Sequence, residues 1–430
     1  MSWRIDRLLS LVAVLAMVGA AGLAPAAHAQ RQEPAKRTQA QKPAKPKPLT
    51  PKQAAAAQAA KLDAAGPSQI GPTTVARYAY MIDMQTGTVL LSKDADQPMA
   101  PSSMAKMMTT YLLFEDLAAG KLKPDTQFKV SERAYAITRG VHSSTMFLEL
   151  GAEVSVLDLI QGIIVDSGND ASVAAAEGMA GSEEAFADRM NKKAHDLGMT
   201  GSVFKNASGW PAEGQHVTAH DLAVLAERTI EDFPKLYQHY AQREFAYNGI
   251  TQPNRNLELK TVPGVDGLKT GHTEEGGYGQ TTSAIRDGRR LVLVLNGMDS
   301  IAERARETAR LIEWGFRETS NTTILRAGDA LAEAPVWLGV QDKVPLVIPT
   351  AVQITTTTGQ SSAQPRAVAK FDGPIAAPIA KGTRLGTAVI TMPDGQTREY
   401  PLQAGADVAK LGIVRRLMAT ARHYLVGWLS

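Results

Sequence analysis

The 430-residue chain contains no cysteine, which excludes disulfides, thiolate metal sites and a cysteine nucleophile without fixing the cellular compartment. It also lacks any block of one charge on a folded segment. Residues 31–61 carry eight Lys/Arg against one Glu and residues 405–430 four against one Asp, while 62–404 hold 32 basic and 40 acidic residues. The body is mildly acidic, carries no basic stripe, and is not expected to bind nucleic acid. Metal-ligand spacing is equally scarce. His216 and His220 stand four apart, but no Glu follows the first His and no third ligand is evident. With His142, His195 and His239 scattered, all five read as structural, and no metal or other cofactor is expected. Against these absences stands an apolar fraction of 44%, enough for a globular core.

Long apolar runs are missing except at the start. Arg4 and Arg7 precede an apolar stretch from Leu8 to Leu23, and Ala27-His28-Ala29 fits a small-residue cleavage site with Gln30 following. Residues 1–29 therefore read as a signal peptide. A retained anchor is the alternative, disfavoured by the shortness of the run. No Cys follows, so a lipoprotein is excluded. Residues 30–72, rich in Ala, Pro, Gln and Lys, lack the large apolar groups that would offset ordering entropy, and read as a linker.

From Thr73 onward the pattern is periodic. Ala76–Asp83 and Thr88–Ser92 alternate as strands around a Gln85-Thr86-Gly87 turn. Helical periodicity covers 103–117, 155–164, 170–179, 182–197, 219–231 and 301–316. Late strands at 277–286 and 290–297 flank an Asp287-Gly288 turn. Early and late strands must meet in one sheet, giving an α/β (α+β) catalytic domain with a helical insertion over 73–318. Residues 319–404, with short runs such as Val344–Ile348 and Thr387–Ile390, read as a small all-β domain. In 405–430, Leu411, Val414, Leu417, Met418, Ala421, Leu425, Trp428 and Leu429 share one helical face, opposite Arg415, Arg416, Arg422 and His423. Such a basic amphipathic helix is expected to lie on a membrane surface. A helix docked on the β domain is the alternative.

Three short motifs carry the chemistry. In Ser103-Met104-Ala105-Lys106, a helical spacing of three lets the amine reach the hydroxyl, and a lysine of lowered pKa can activate a serine. The helix start favours developing negative charge. Ser202-Val203-Phe204-Lys205 has the same spacing but runs into a turn and fails the helix requirement. Ser167-Gly168-Asn169, between two helical patterns, can present a hydroxyl and an amide to one cleft, although alone it equally fits a helix N-cap. Lys269-Thr270-Gly271-His272 precedes the late strands; a cation and a hydroxyl on a strand edge can bind a carboxylate, and Gly271 permits close backbone approach.

Taken together in this order, S-x-x-K, an S-x-N element and K-T-G form the set of serine β-lactamases and penicillin-binding proteins. The chain resembles the low-molecular-mass penicillin-binding proteins that are D-alanyl-D-alanine carboxypeptidases. The resemblance extends over Pro101–Thr109, Gly162–Ala171, Asn248-Gly249-Ile250, Asn254-Arg255-Asn256, Asp266–Thr273 and Trp314-Gly315-Phe316. It covers roughly 73–318, and more loosely the β domain and tail, and implies a β-lactamase/transpeptidase-like catalytic domain. It further implies that Ser103 attacks the penultimate D-Ala carbonyl, that Lys106 is the base, and that Ser167 relays a proton to the leaving amine while Lys269 sets the electrostatics. Asn169 would hold the substrate amide and Thr270 its terminal carboxylate. Arg304 would be a cation near that carboxylate, against the alternative of a solvated face or salt bridge; Arg255 is a weaker candidate of the same kind. The N–H groups of Ser103 and His272 would form the oxyanion hole. The His272 side chain either aids deacylation or packs beside the strand.

The expected partners are peptidoglycan stem peptides ending in D-Ala-D-Ala, β-lactams as acylating inhibitors, and a membrane surface on the periplasmic side of the bacterial inner membrane. The rivals are a β-lactamase, an endopeptidase or transpeptidase on the same scaffold, and an inactive wall-binding protein. The tether, β domain and tail argue against the first, and the intact motif set against the last.

Overall fold

The computed structural model describes residues 71–141, 143–357, 365–391, 397–415, 417 and 418. The expected signal peptide and tether, His142 and most of the expected tail helix lie outside these residues. The described chain falls in one unit, Lys52–Ser430.

β1 (Tyr78–Asp83) and β2 (Thr88–Lys93) form the first hairpin. A 3-10 turn over Ser102–Ala105 leads into α1 (Lys106–Ala118). Then come β3 (Gln127–Lys129), α2 (Glu132–Ala136), β4 (Glu153–Ser155) and α3 (Val156–Gln161), with β3 and β4 paired. A single π turn, Gly162–Asp166, separates α3 from α4 (Asn169–Ala180). The insertion continues with α5 (Glu183–Asp196) and α6 (Ala219–Asp232), whose N-caps Ser182 and Thr218 accept the expected backbone bonds. The hairpin β5 (Glu244–Tyr247)–β6 (Ile250–Pro253) and short α7 (Glu258–Thr261) lead back to β7 (Val265–Thr273), β8 (Gly277–Arg286), β9 (Arg289–Met298) and α8 (Ile301–Glu318).

The five long strands form one antiparallel sheet in the order β2-β1-β9-β8-β7. The first and last segments therefore meet, with Tyr78 opposite Asn296 and Asp83 opposite Leu291. β9 explains why its sequence reads as an unbroken apolar run: it is covered on both faces. Leu291, Leu293 and Leu295 join Met81, Leu311 and Ile312 in the layer under α8, whereas Val292 and Val294 join Tyr80 and the insertion helices in the larger core. Gly315 lets α8 approach the sheet, because a Cβ there would lie 2.4 Å from Met81 Cε.

From α8 to Ala404 the named elements are all strands: β10 (Thr319–Leu325), β11 (Ala330–Trp337), β12 (Lys343–Val347), β13 (Val352–Thr357), β14 (Arg366–Phe371), β15 (Ile375–Ala376), β16 (Arg384–Thr391) and β17 (Thr397–Ala404). β10 pairs with β13, and the other six form a second sheet with its own core of Val344, Leu346, Ala388, Ile390 and Leu402. This region clasps the β1–β2 turn. Thr86 Oγ1 lies 2.6 Å from Thr355 Oγ1, Asn321 Nδ2 donates to Gln85 Oε1 at 3.0 Å, and the Arg398 guanidinium donates to the Thr86 and Gly87 carbonyls. Residues 413–415, 417 and 418 are helical, with Ile413, Val414, Leu417 and Met418 all exposed. Among the described residues, no helix is long and apolar enough to cross a membrane.

Candidate active site

The helix expected from Ser103 begins as the 3-10 turn and becomes α-helical only at Lys106. The tighter turn eclipses residues three apart, and Lys106 Nζ donates to Ser103 Oγ at 2.9 Å. Ser103 is half-buried, whereas Ser102, Met104, Ala105 and Lys106 are buried, so the turn opens its surface at the serine. The amine also donates to Asn169 Oδ1 at 2.6 Å and to the Ser208 carbonyl at 2.7 Å.

Both of those partners are acceptors only. A neutral Lys106 amine keeps its two N–H groups on them and turns its lone pair to the Ser103 hydroxyl. Full burial, followed by the charge of Arg255, drives the Lys106 pKa well below its ordinary value. Geometry and burial both lower the cost of a neutral amine beside Ser103.

The Ser208 carbonyl is held by its neighbours. Thr109 Oγ1 donates to the Ala207 carbonyl at 2.6 Å, Ala207 N donates to Glu183 Oε1 at 3.0 Å, and Asn206 Oδ1 accepts from Gly209 N at 2.8 Å. Gly209 sits at φ +76°, where an added Cβ would stand 1.8 Å from the Ser102 carbonyl oxygen.

The second motif follows the π turn. Ser167 adopts φ 58° and ψ 31°, a left-handed conformation uncommon for serine. Its Oγ is buried and has no hydrogen-bond partner among the described residues. Asn169 Nδ2 donates to Ser143 Oγ at 2.7 Å, and Asn169 N donates to the Ser144 carbonyl at 2.9 Å. Asp170 fixes this facing loop: its carboxylate accepts from Thr145 Oγ1 at 2.7 Å, Met146 N at 2.9 Å and Leu148 N at 3.1 Å. Asp166, buried beside Ser167, has its carboxyl pushed up to about 7, chiefly by burial.

The third motif lies on β7, the sheet edge. The Gly271 backbone abuts the turn that carries Ser103, since a Cβ there would lie 3.0 Å from Ser102 Cβ and 3.3 Å from Met104 N. That contact brings the β7 backbone at Gly271 against the Ser102–Ala105 turn. Lys269 is buried, donates to the Thr270 carbonyl at 3.1 Å, and has its pKa driven well down by burial and by the charges of Lys106, Arg255 and Arg304. Thr270 is buried beside it. His272 is exposed and stacks on Tyr278 with ring centroids 3.9 Å apart.

Arg304 is 4% exposed, which removes the solvated-face alternative. It donates through Nη2 to the Arg255 carbonyl at 3.1 Å, and its Nε is buried with no partner among the described residues. Arg255 is exposed and its guanidinium donates to Ser144 Oγ. Lys269, Arg255 and Arg304 thus form a basic neighbourhood beside Lys106 that is suited to a carboxylate.

The second S-x-x-K is elsewhere in kind. Ser202 Oγ donates to Asp221 Oδ2 at 2.6 Å and Lys205 is exposed, with no helix between them. The histidines outside the motif serve locally: His216 Nδ1 lies 3.1 Å from the Gly214 carbonyl, and His220 Nδ1 lies 2.8 Å from Asp96 Oδ1. Sequence reasoning missed the Ser208 carbonyl, the Ser143–Ser144 loop and Asp170. A backbone carbonyl leaves no trace in a motif, but the acidic residue immediately after Asn169 was a readable signal.

The profile of the D-alanyl-D-alanine carboxypeptidase family matches residues 64–300, and that of the penicillin-binding protein 5 C-terminal domain matches 320–410. D-alanyl-D-alanine carboxypeptidase DacA of Escherichia coli (strain K12) is 36% identical over 322 residues, 74% of this chain and 80% of that protein. DacF of Bacillus subtilis (strain 168) is 35% identical over 350 residues, 80% and 89%. The crystal structure of penicillin-binding protein 5 from Haemophilus influenzae superposes with a TM-score of 0.69 at 34% identity, covering 79% of this chain and 99% of that one. Penicillin-binding protein D2 of Listeria monocytogenes, in its ampicillin-bound form, gives 0.51 at 27% identity, covering 56% and 98%.

Proposed function

This chain belongs to the D-alanyl-D-alanine carboxypeptidase family, and from that premise we propose that Ser103 is its nucleophile and Lys106 the base that activates it. The protein is a serine-type D-Ala-D-Ala carboxypeptidase. No comparison favours a β-lactamase, an endopeptidase or an inactive scaffold.

In the proposed sequence, Ser103 Oγ attacks the carbonyl of the penultimate D-Ala and its proton passes to Lys106 Nζ. The N–H groups of Ser103 and His272 hold the oxyanion; losing one such donor typically lowers the rate ~10²–10³-fold. The peptide C–N bond breaks as the proton reaches the leaving amine through Ser167, terminal D-Ala departs, and water hydrolyses the ester. Thr270, Lys269 and Arg304 take the terminal carboxylate, and Asn169 the acyl-side amide. The observation that carries this reading is the Lys106 amine 2.9 Å from Ser103 Oγ with only acceptors as its other two partners.

The substrates inferred are peptidoglycan stem peptides ending in D-Ala-D-Ala, and the inhibitors β-lactams, in keeping with the ampicillin-bound neighbour. Export by the expected signal peptide, residence on the periplasmic face of the inner membrane and peripheral attachment through residues 405–430 complete the proposal. The run of exposed apolar side chains at Ile413, Val414, Leu417 and Met418 supports the last point.

The test is the Ser103→Ala protein, which is expected to lose both D-Ala release from an acyl-D-Ala-D-Ala peptide and covalent penicillin labelling. Ser202→Ala is expected to keep both. Label mapping to Ser202, or persisting in Ser103→Ala, overturns the assignment.

A further inference from the structure

Trp210 is 42% exposed, yet its backbone is tightly held. Its carbonyl accepts from Asn206 Nδ2 and Gln215 Nε2, both at 2.8 Å, and its N–H donates to Ser208 Oγ at 3.2 Å. It follows Gly209, whose Cα packs against the Ser102 carbonyl. A single Cα–Cα step of ~3.8 Å therefore separates the tryptophan from the wall of the nucleophile's turn, well within the reach of an indole. Trp210 leaves 42% of its surface open beside that turn, surface that a ligand can cover. Its rigidity also lowers the entropy lost when a ligand covers it.

The neighbours decide which end of the substrate it meets. The cations that would take the terminal carboxylate come from β7 and α8. The Ser208–Trp210 loop instead shares Lys106 Nζ with Asn169, the two acceptors lying 2.7 Å and 2.6 Å from that one nitrogen. Asn169 is the residue assigned to the acyl-side amide, so the indole belongs to the acyl side of the scissile bond.

We propose that Trp210 is a specificity-determining residue: an aromatic wall of the acyl subsite that packs against the apolar part of the acyl donor, whether a peptide side chain or the side chain of a β-lactam. The proposal rests on the assignment of Ser103 and Asn169 above. Because Trp210 contributes no polar atom to the reacting bond, it acts on acyl donors in proportion to the apolar surface they carry beyond that bond.

The experiment compares acylation of the full-length protein by benzylpenicillin, which bears a phenylacetyl side chain, and by 6-aminopenicillanic acid, which bears none. Trp210→Ala is expected to slow the second-order reaction with benzylpenicillin about tenfold, the scale of losing part of an aromatic contact, and that with 6-aminopenicillanic acid less than about twofold. Trp210→Phe should restore the benzylpenicillin rate to within about threefold of the parent. Equal losses with both compounds, or no loss with either, overturn the proposal. Mass mapping of the adduct in each variant separates the two readings, since label away from Ser103 refutes the nucleophile rather than the wall.

Discussion

Replacing Lys106 by Ala removes the amine that ties Ser103, the proposed nucleophile, to Asn169 and to the Ser208 carbonyl. Loss of a positioned general base costs ~10²–10⁴ in rate, or about 3–5 kcal/mol of barrier. The stability effect should be smaller. Asn169 Oδ1 and the Ser208 carbonyl lose their donor, at about 1–3 kcal/mol for each buried acceptor, but the cost of keeping an amine at 0% exposure vanishes with it. Net destabilisation of no more than about 2 kcal/mol is expected. Stopped-flow acylation by a fluorescent penicillin, paired with urea unfolding, separates the two effects. Acylation within about tenfold of the parent would refute the role of the amine. The pH profile provides a second check with a definite sign. Lys106 is lowered by burial and then by Arg255. In Arg255→Gln the amine regains part of its basicity and stays protonated to higher pH, so the acid limb of the acylation rate must move upward. A shift toward lower pH contradicts the base assignment.

Gly209→Ala should destabilise the protein by at least about 3 kcal/mol, because the new methyl meets the Ser102 carbonyl and the residue sits at positive φ; thermal melting measures it, and a neutral substitution refutes the close contact. Removing residues 405–430 should leave hydrolysis of soluble peptides unchanged and release the protein from sedimenting membranes. Continued sedimentation would assign attachment to the leader or tether.

Local periodicity made most of the fold legible. The strands at both ends, the insertion helices from 155 onward and the all-β character after α8 are each dictated by side chains acting on their own segment. The departures have tertiary causes. The 103–117 pattern could not reveal its opening 3-10 turn, because that turn is fixed by Gly209 and Gly271 pressing on Ser102 from distant segments. The pattern at 155–164 ends early in a π turn that turns the chain into Ser167. β5 and β6 are short and largely exposed, so alternation had little to act on. Within the candidate site, the motifs picked out Ser103, Lys106 and Asn169, whose side chains the Lys106 amine joins. The burial of Arg304 was not readable from spacing, since α8 carries several charged residues and only packing against the sheet distinguishes the covered one.

The cleft gathers several terms that work against the stability of the fold. A buried polar atom without a partner costs about 1–3 kcal/mol, and folded proteins hold few of them. Here Ser167 Oγ and Arg304 Nε are both buried and unpartnered among the described residues, and Ser167 also occupies a left-handed backbone conformation. Lys106 and Lys269 bury ammonium-forming groups whose pKa values are driven down first by burial, Lys106 then by Arg255 and Lys269 then by Lys106, Arg255 and Arg304. None of this stabilises the fold. If a carboxylate and a carbonyl enter as proposed, the hydroxyl and guanidinium gain acceptors and the crowded basic groups a counter-charge. The strain is therefore oriented toward a ligand that is anionic at one end and electrophilic about one residue inward. That is the shape of a D-Ala-D-Ala terminus. The same reasoning covers the single lysine held between Asn169 and the Ser208 carbonyl within 2.9 Å of Ser103 Oγ: its partners are already placed before a ligand arrives.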